Sequence, residues 1–238
     1  MPHFLGETHW EKAAKTRMGK YLTRIETNFI KDSVDLSRAQ VVMDVGAEAG
    51  RFSQLSTNPS STVISIDINT SGLKRLKQKI GGVNVVQADA RCVPFKDELF
   101  DAIFMIEVLD YVTQLNSALS ECHRTLKQGK SVILSFGNKS SIKAKLREIG
   151  GKYYRHSYTQ VMHSLRASGL TTERKIGYNW LPFGRMSENK FIPILAWVEG
   201  VLGFRRIPRL SPWVIVEAAR CVAPFVQKAE RWLLESHK

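Results

Sequence analysis

A chain of 238 residues, 43% hydrophobic and 24% charged, can bury a full core and reads as an ordinary globular protein rather than a disordered or fibrous one. Its three cysteines (Cys92, Cys122, Cys221) form no CxxC pair, so neither a disulfide framework nor a cysteine zinc site is expected, no metal is implied, and a reducing cytoplasm is the default. The net charge of +13 is uneven: residues 1–137 carry 17 Lys+Arg and 15 Asp+Glu, whereas residues 138–238 carry 18 Lys+Arg against 7 Glu and no Asp.

The N-terminus, with His3, Glu7, Glu11 and Lys12, leaves no room for a signal-peptide core. No later run supplies the roughly 20 apolar residues that span a bilayer. Residues 9–31 place Trp10, Ala13, Ala14, Met18, Tyr21, Leu22, Ile25 and Phe29 on one helical stripe, so a helical cover is expected over residues 1–35. Arg17 and Tyr21 on it are candidates to close over a ligand.

Val41–Val45 is a β-branched, apolar strand broken only by Asp44, and it stops at Gly46. Gly46 lets the backbone approach a ligand, and Gly50 lets a following helix pack closely with its free N–H groups facing the same crevice. That helix is expected to end near Thr57, before Asn58-Pro59. Thr62–Asp67 is a second strand. Asn69–Ile80 is an amphipathic helix closed by Gly81-Gly82. Val83–Ala88 and Phe100–Ile106 are the third and fourth strands. A helix over 115–126 capped by Gly129, a strand at 131–136, a helix at 158–167, and strands at 171–178 and 213–219 complete the core. A final helix is expected at about 222–236. Strands alternating with helices predict an α/β, Rossmann-like, mostly parallel sheet covered on both faces. The expected layout is one domain with its core at 36–136 and a substrate-side half at 137–238. That half holds a polar, basic lid at 137–157 and a helical insertion at about 180–211.

The chemistry lies at the strand ends. Asp67 falls about 20 residues after the glycine turn, where a carboxylate accepts ribose hydroxyls, and Asp89 falls where an adenine amino group would be met. Asp44, Asp67, Asp89 and Glu107 are expected to project into one crevice. Glu48, in the middle of the turn, would face a dinucleotide's phosphates at a Coulomb cost of about 4 kcal/mol. The pattern favours a cofactor with an adenosine end and a cationic end over NAD.

Val42-Met43-Asp44-Val45-Gly46-Ala47-Glu48-Ala49-Gly50 resembles motif I of class I S-adenosylmethionine-dependent methyltransferases. Ile66-Asp67-Ile68, Gln87-Ala88-Asp89-Ala90, Val93-Pro94-Phe95, Phe100-Asp101 and Ile106-Glu107-Val108-Leu109 are similar to the later motifs of the small-molecule and lipid-modifying branch. The resemblance implies seven strands with the last antiparallel, and S-adenosyl-L-methionine as cofactor with S-adenosyl-L-homocysteine as product. It implies Gly46, Ala47, Glu48 and Gly50 along the methionine end, Asp67 and Ile68 at ribose and adenine, Asp89 and Ala90 at adenine, and Glu107 near the reactive methyl. The family pattern more often has Cys-Gly at Ala47-Glu48 and His at Asp110.

No catalytic residue is assigned. His156 is a candidate general base, but methyl transfer to a reactive atom needs only in-line positioning. Asp101 reads as a structural strand-start residue. The run Phe191–Phe204 with Arg205, Arg206 and Arg209 has two readings: an interfacial element with a basic rim on an anionic membrane, or a cover that touches only protein. The expected acceptor is a small molecule, lipid- or glycan-linked among the alternatives. An RNA methyltransferase using the basic half, or a non-catalytic cofactor-binding protein, are the rivals.

Overall fold

The computed structural model describes residues 6–56, 61–149 and 155–221. The expected helix at 222–236 and residues 150–154 of the expected lid lie outside them. The seven strands are β1 (Val41–Val45), β2 (Thr62–Asp67), β3 (Asn84–Gln87), β4 (Phe100–Met105), β5 (Leu126–Gly137), β6 (Leu170–Tyr178) and β7 (Trp213–Arg220). They form one sheet in the order β3-β2-β1-β4-β5-β7-β6, in which β7 alone runs antiparallel to its neighbours. The Rossmann-like expectation, including the antiparallel last strand, therefore holds.

The helices are α1 (His9–Lys15), α2 (Arg17–Ser33), α3 (Thr70–Lys79), α4 (Leu115–Thr125), α5 (Ile142–Ile149), α6 (Tyr158–Ala167) and α7 (Ile192–Val201). Chain order turns back between β1 and β4: β2 and β3 extend one side of the sheet and β4 onward the other. Such a reversal leaves a crevice outside the carboxyl ends of the strands, where ligands of doubly wound sheets bind. Strand β1 is central and buried because its residues are apolar on both faces, the mark of a parallel strand covered twice.

Two apolar layers flank the sheet. One joins Met43, Ile103, Leu119, Leu134 and Val216 under α4 and α6. The other joins Phe104, Ile133 and Ile215 to Met18, Leu22, Ile25 and Phe29 of α2. Burying each Leu, Ile or Phe side chain contributes roughly 1.5–3 kcal/mol. Asp101 has the structural role expected of it: its Oδ2 accepts from the Gln40 and Val41 N–H groups at 3.1 and 3.0 Å, and Lys127 pairs with its Oδ1 at 2.9 Å.

Three expectations need correction. The N-terminal helix is two helices, because Thr16 caps α2, its side chain accepting from the Gly19 N–H at 3.0 Å. A Cβ at Gly19 would lie 1.9 Å from the Ala13 carbonyl oxygen, so the tight joint requires glycine there. Next, Gly50 is followed not by a helix but by a single 3-10 turn, Ser53–Ser56. Lastly, α4 ends at Thr125, and Gly129 (φ 68°) lies inside β5 rather than capping the helix.

Candidate active site

The turn after β1 is the centre of the crevice. Gly46 has φ 67°, and a Cβ on it would come within 2.4 Å of Val108 Cγ2. Gly50 has φ 81°, and a Cβ there would press on Leu76 and Ile80 of α3 and its cap at 2.9 and 3.0 Å. Both glycines are thus required by conformation and by close approach. The Gly46 and Ala47 N–H groups both donate to the Ile66 carbonyl at 2.8 and 3.0 Å, and the Glu48 N–H donates to Asp67 Oδ2 at 2.9 Å. With those three donors committed and only a 3-10 turn following, the loop has no free helix N-terminus for a pyrophosphate.

Asp67, half-buried, also accepts from the Asn69 N–H through Oδ1 at 2.8 Å. Each oxygen keeps a second lone pair for a diol. The side chain of Ile68, next along, is 68% exposed, an apolar surface at the crevice edge on which a base could pack. Asp89 lies at the third strand end, clamped by Arg91 at 2.6 Å, which holds its carboxyl below the usual range. Ala90, beside it, packs on the core. Glu48 is half-buried and left-handed (φ 46°). Burial raises its carboxyl, against the pull of the Thr8 side chain. Ala47 and Ala49 are buried beneath the turn.

Asp44 does not reach the crevice surface. Its carboxylate is buried and accepts from Ser53 Oγ at 2.6 Å, and Ser65 Oγ in turn lies 3.0 Å from Ser53 Oγ. Burial pushes Asp44 up to about 7, against Ser53 and Arg51.

Glu107, just past β4, is buried in an ionic cluster that no sequence pattern announced. Arg51 lies 3.3 Å from its carboxylate, Arg185 also pairs with it, and its N–H donates to Ser135 Oγ at 2.9 Å. Burial raises Glu107, but the Arg185 and Arg51 guanidiniums outweigh it and hold the carboxyl at about 2. The second acid of the cluster is Glu26 of α2, fully buried, 3.2 Å from Arg51 and accepting from Tyr178 Oη at 2.8 Å. Burial raises it to about 8, against Arg51, with Glu107 pushing the same way. Glu26 had a readable signal: it falls on the apolar stripe between Leu22 and Phe29, where a charge must find a partner. Arg185, in the insertion, had none.

The cover comes from both ends of the sequence. Thr16 Oγ1 lies 2.7 Å from the Arg185 carbonyl, and the Met18 N–H donates to the Ser187 carbonyl at 3.1 Å. The Arg185 guanidinium also stands 5.1 Å from the Trp10 ring and 5.8 Å from the Trp213 ring. Helix α1 is tied over α3 by Glu11, whose carboxylate pairs with Arg75 and Lys79 at 3.1 and 3.2 Å. Tyr111, beyond β4, presents a large exposed ring, while partial desolvation and the charges of Glu107 and Asp110 push its hydroxyl above the usual tyrosine range.

Three candidates are used elsewhere. Tyr21 donates to Glu199 of α7 at 2.5 Å, and Arg17 is exposed beside Glu188 at 3.7 Å, so neither closes over the crevice. His156 is buried with Nε2 3.0 Å from the Leu109 and Val112 carbonyls, where it braces the chain after β4. Among the described residues no group of acids, histidines and cysteines could hold a metal.

Comparison with known proteins follows the same lines. Residues 43–134 match a family model described as a methyltransferase domain. The ubiquinone/menaquinone biosynthesis C-methyltransferase of Erwinia tasmaniensis is 36% identical over 124 residues, which cover 48% of this chain and 49% of that protein. The chain thus spans about half the length of the curated relatives it matches. A putative sarcosine dimethylglycine methyltransferase from Galdieria sulphuraria has the same fold with TM-score 0.64 and 15% identity, over 85% of this chain and 86% of that one. So does the [4+2]-cyclase SpnF, at TM-score 0.63 and 18% identity over 84% and 81%. The strand-end motifs, the sheet order and the match agree: residues 43–134 form a methyltransferase domain, and the chain has the fold of class I S-adenosylmethionine-dependent methyltransferases.

Proposed function

We propose that the protein binds S-adenosyl-L-methionine in the crevice at the ends of β1, β2 and β4 and transfers its methyl group to a small, apolar acceptor. The observation that carries this reading is Asp67. Its two oxygens hold the turn through the Glu48 and Asn69 N–H groups while lone pairs remain for the ribose hydroxyls. The cofactor would supply an electrophilic methyl on a sulfonium; the acceptor atom would attack it in line, the carbon–sulfur pair would return to sulfur, and the proton displaced from the acceptor would pass to solvent.

This chain's residues then have positioning roles. Asp67 and Ile68 orient ribose and adenine, with Asp89 and Ala90 at the far edge of the base. The backbone of Gly46, Ala47, Glu48 and Gly50 passes along the methionine end, and Asp44 keeps that turn in place from below through Ser53. Glu107 anchors Arg51 and Arg185 at the mouth, and Arg185 with Trp10 excludes water. Preorganised placement of this kind contributes much of the rate when the acceptor atom is already reactive. The quinone-pathway relatives, C-methyltransferases by name, support a carbon or other nucleophilic atom of an apolar ring as acceptor. Exposed Tyr111 at the mouth gives such a ring a stacking partner.

Calorimetric titration with S-adenosylhomocysteine tests the reading, with micromolar binding expected for the wild type. Asp67→Ala is expected to bind about 10–100-fold more weakly, the loss of two charge-assisted hydrogen bonds at the turn. No binding to the wild type, or unchanged affinity in the variant with its folding intact, would sink it. Cofactor binding without transfer to any quinone-like acceptor would leave a binding protein on the same fold.

A further inference from the structure

Helix α7 reverses the usual layout of a surface helix. Its sequence, Ile-Pro-Ile-Leu-Ala-Trp-Val-Glu-Gly-Val, carries one charge, and that charge points inward. Glu199 is buried, accepting from Tyr21 Oη at 2.5 Å and from the Trp180 N–H at 3.2 Å. Ile192, Leu195, Ala196 and Glu199 follow helical spacing along the packed face. The opposite face presents Ile194, Trp197 and Val201 at 61, 68 and 63% exposure. A helix on a soluble surface turns polar residues outward. This one turns apolar residues outward, and the exposed apolar surface continues through Phe191, Leu202, Ile207 and Leu210.

We propose that this face docks on an anionic lipid bilayer, with α7 lying in the interface plane. Lys190, Arg206 and Arg209, all exposed, border the apolar surface. The nearby acids are turned away, Glu199 inward and Glu188 toward Arg17. An apolar stripe with an indole and a cationic rim is the pattern of an interfacial helix, where side chains enter the acyl boundary and guanidiniums meet phosphates. The charge argues against a second copy of the chain as occupant. A two-fold contact through this face would set one basic rim beside another, whereas lipid phosphates would neutralise it. The basic excess of residues 138–238 favours the same approach.

The docked face shares its cover with the crevice. Glu199 ties α7 to Tyr21 of α2, and Arg185 ties the same segment to Glu107. A membrane-dissolved acceptor would therefore meet the mouth without leaving the interface. That delivery rests on the methyl-transfer reading; docking itself does not.

Sedimentation of the full chain with vesicles tests the proposal. One set is phosphatidylcholine alone, the other phosphatidylcholine with phosphatidylglycerol. Binding to the anionic vesicles is expected to exceed binding to neutral ones by at least about tenfold and to fall with salt. Trp197→Glu should weaken binding by about tenfold or more while affinity for S-adenosylhomocysteine is unchanged. Arg206→Glu with Arg209→Glu should remove the preference for anionic lipid. Equal binding by wild type and Trp197→Glu, or no binding to either vesicle, overturns the proposal. So does a reversible dimer that Trp197→Glu dissolves without any vesicle binding, which would assign the face to a second copy. Vesicle binding by a wild type that fails to take up S-adenosylhomocysteine would leave docking in place and remove the proposed function instead.

Discussion

The strand-end crevice and the cover above it are built on different principles. The crevice is local and periodic: each acid sits at the end of a strand whose β-branched residues make it a strand, and the turn is closed by hydrogen bonds to the next strand along. The cover is assembled from residues far apart in sequence. Glu26 of α2, Arg51 after the turn, Glu107 after β4 and Arg185 of the insertion meet in one buried cluster. In the proposed function, cofactor binding belongs to the first region, and access, water exclusion and acceptor choice to the second.

The sharpest way to break this comparison is to remove the cation that joins the two. Arg51→Met leaves Glu26 and Glu107 buried without the guanidinium that faces both. Breaking a buried ionic cluster on one side costs up to about 3–5 kcal/mol, and Arg185, which stays paired with Glu107, holds the loss toward the lower end. The expected outcome is a large drop in the urea midpoint with the slope unchanged. A drop under about 1 kcal/mol would mean that the cluster relaxes into water and is no keystone.

Next in size is a pH effect. Glu26 is raised above its ordinary value, so the folded state holds a proton there that the unfolded chain has already released. Stability from this group is complete below about pH 4.5 and is lost as pH rises through about 8. Glu107 is lowered, so its contribution is complete above about pH 4.5 and is lost as pH falls toward 2. Glu26→Gln keeps an acceptor for Tyr178 and has no proton to lose. The melting temperature of the wild type is expected to fall between pH 6 and 9, with a flatter profile in the variant. Parallel profiles would show that Glu26 does not carry this proton.

The same contrast governs what could be read from the sequence. All seven strands and the sheet type were legible, because strand periodicity and the acids at strand ends are local signals. The break at Thr16 was not legible, because the apolar stripe runs on across the joint and no Glu or Gln follows three residues later to complete a capping box. On charge alone the four acids favour a cationic cofactor, but the structure weakens that argument. Glu107 is neutralised by two arginines and Asp44 is buried under the turn, so little of their charge reaches a ligand. What disfavours a pyrophosphate is instead the commitment of the Gly46, Ala47 and Glu48 N–H groups. Charge could be counted in the sequence; the destination of three backbone donors could not.

The smallest expected effect tests whether the cover is a separate moving part. Glu11 closes a capping box with Thr8 and at the same time holds α1 on α3 through Arg75 and Lys79. Its carboxyl is held below the usual range: burial pushes it up, and Thr8, Arg75 and Lys79 together outweigh that. Lys79 is partly open to solvent and glutamine keeps an acceptor for the Thr8 N–H and for Arg75, so Glu11→Gln is expected to cost only about 0.5–1 kcal/mol. If α1 closes independently of the crevice, the loss should appear as faster tryptic cleavage at Lys12 and Lys15, with at most a few-fold change in S-adenosylhomocysteine affinity. The midpoint of global unfolding should barely move, because the sheet and its two apolar layers do not depend on α1. A midpoint shift as large as that of Arg51→Met would show the reverse, that α1 and the sheet unfold as one unit and that crevice and cover are one structure rather than two.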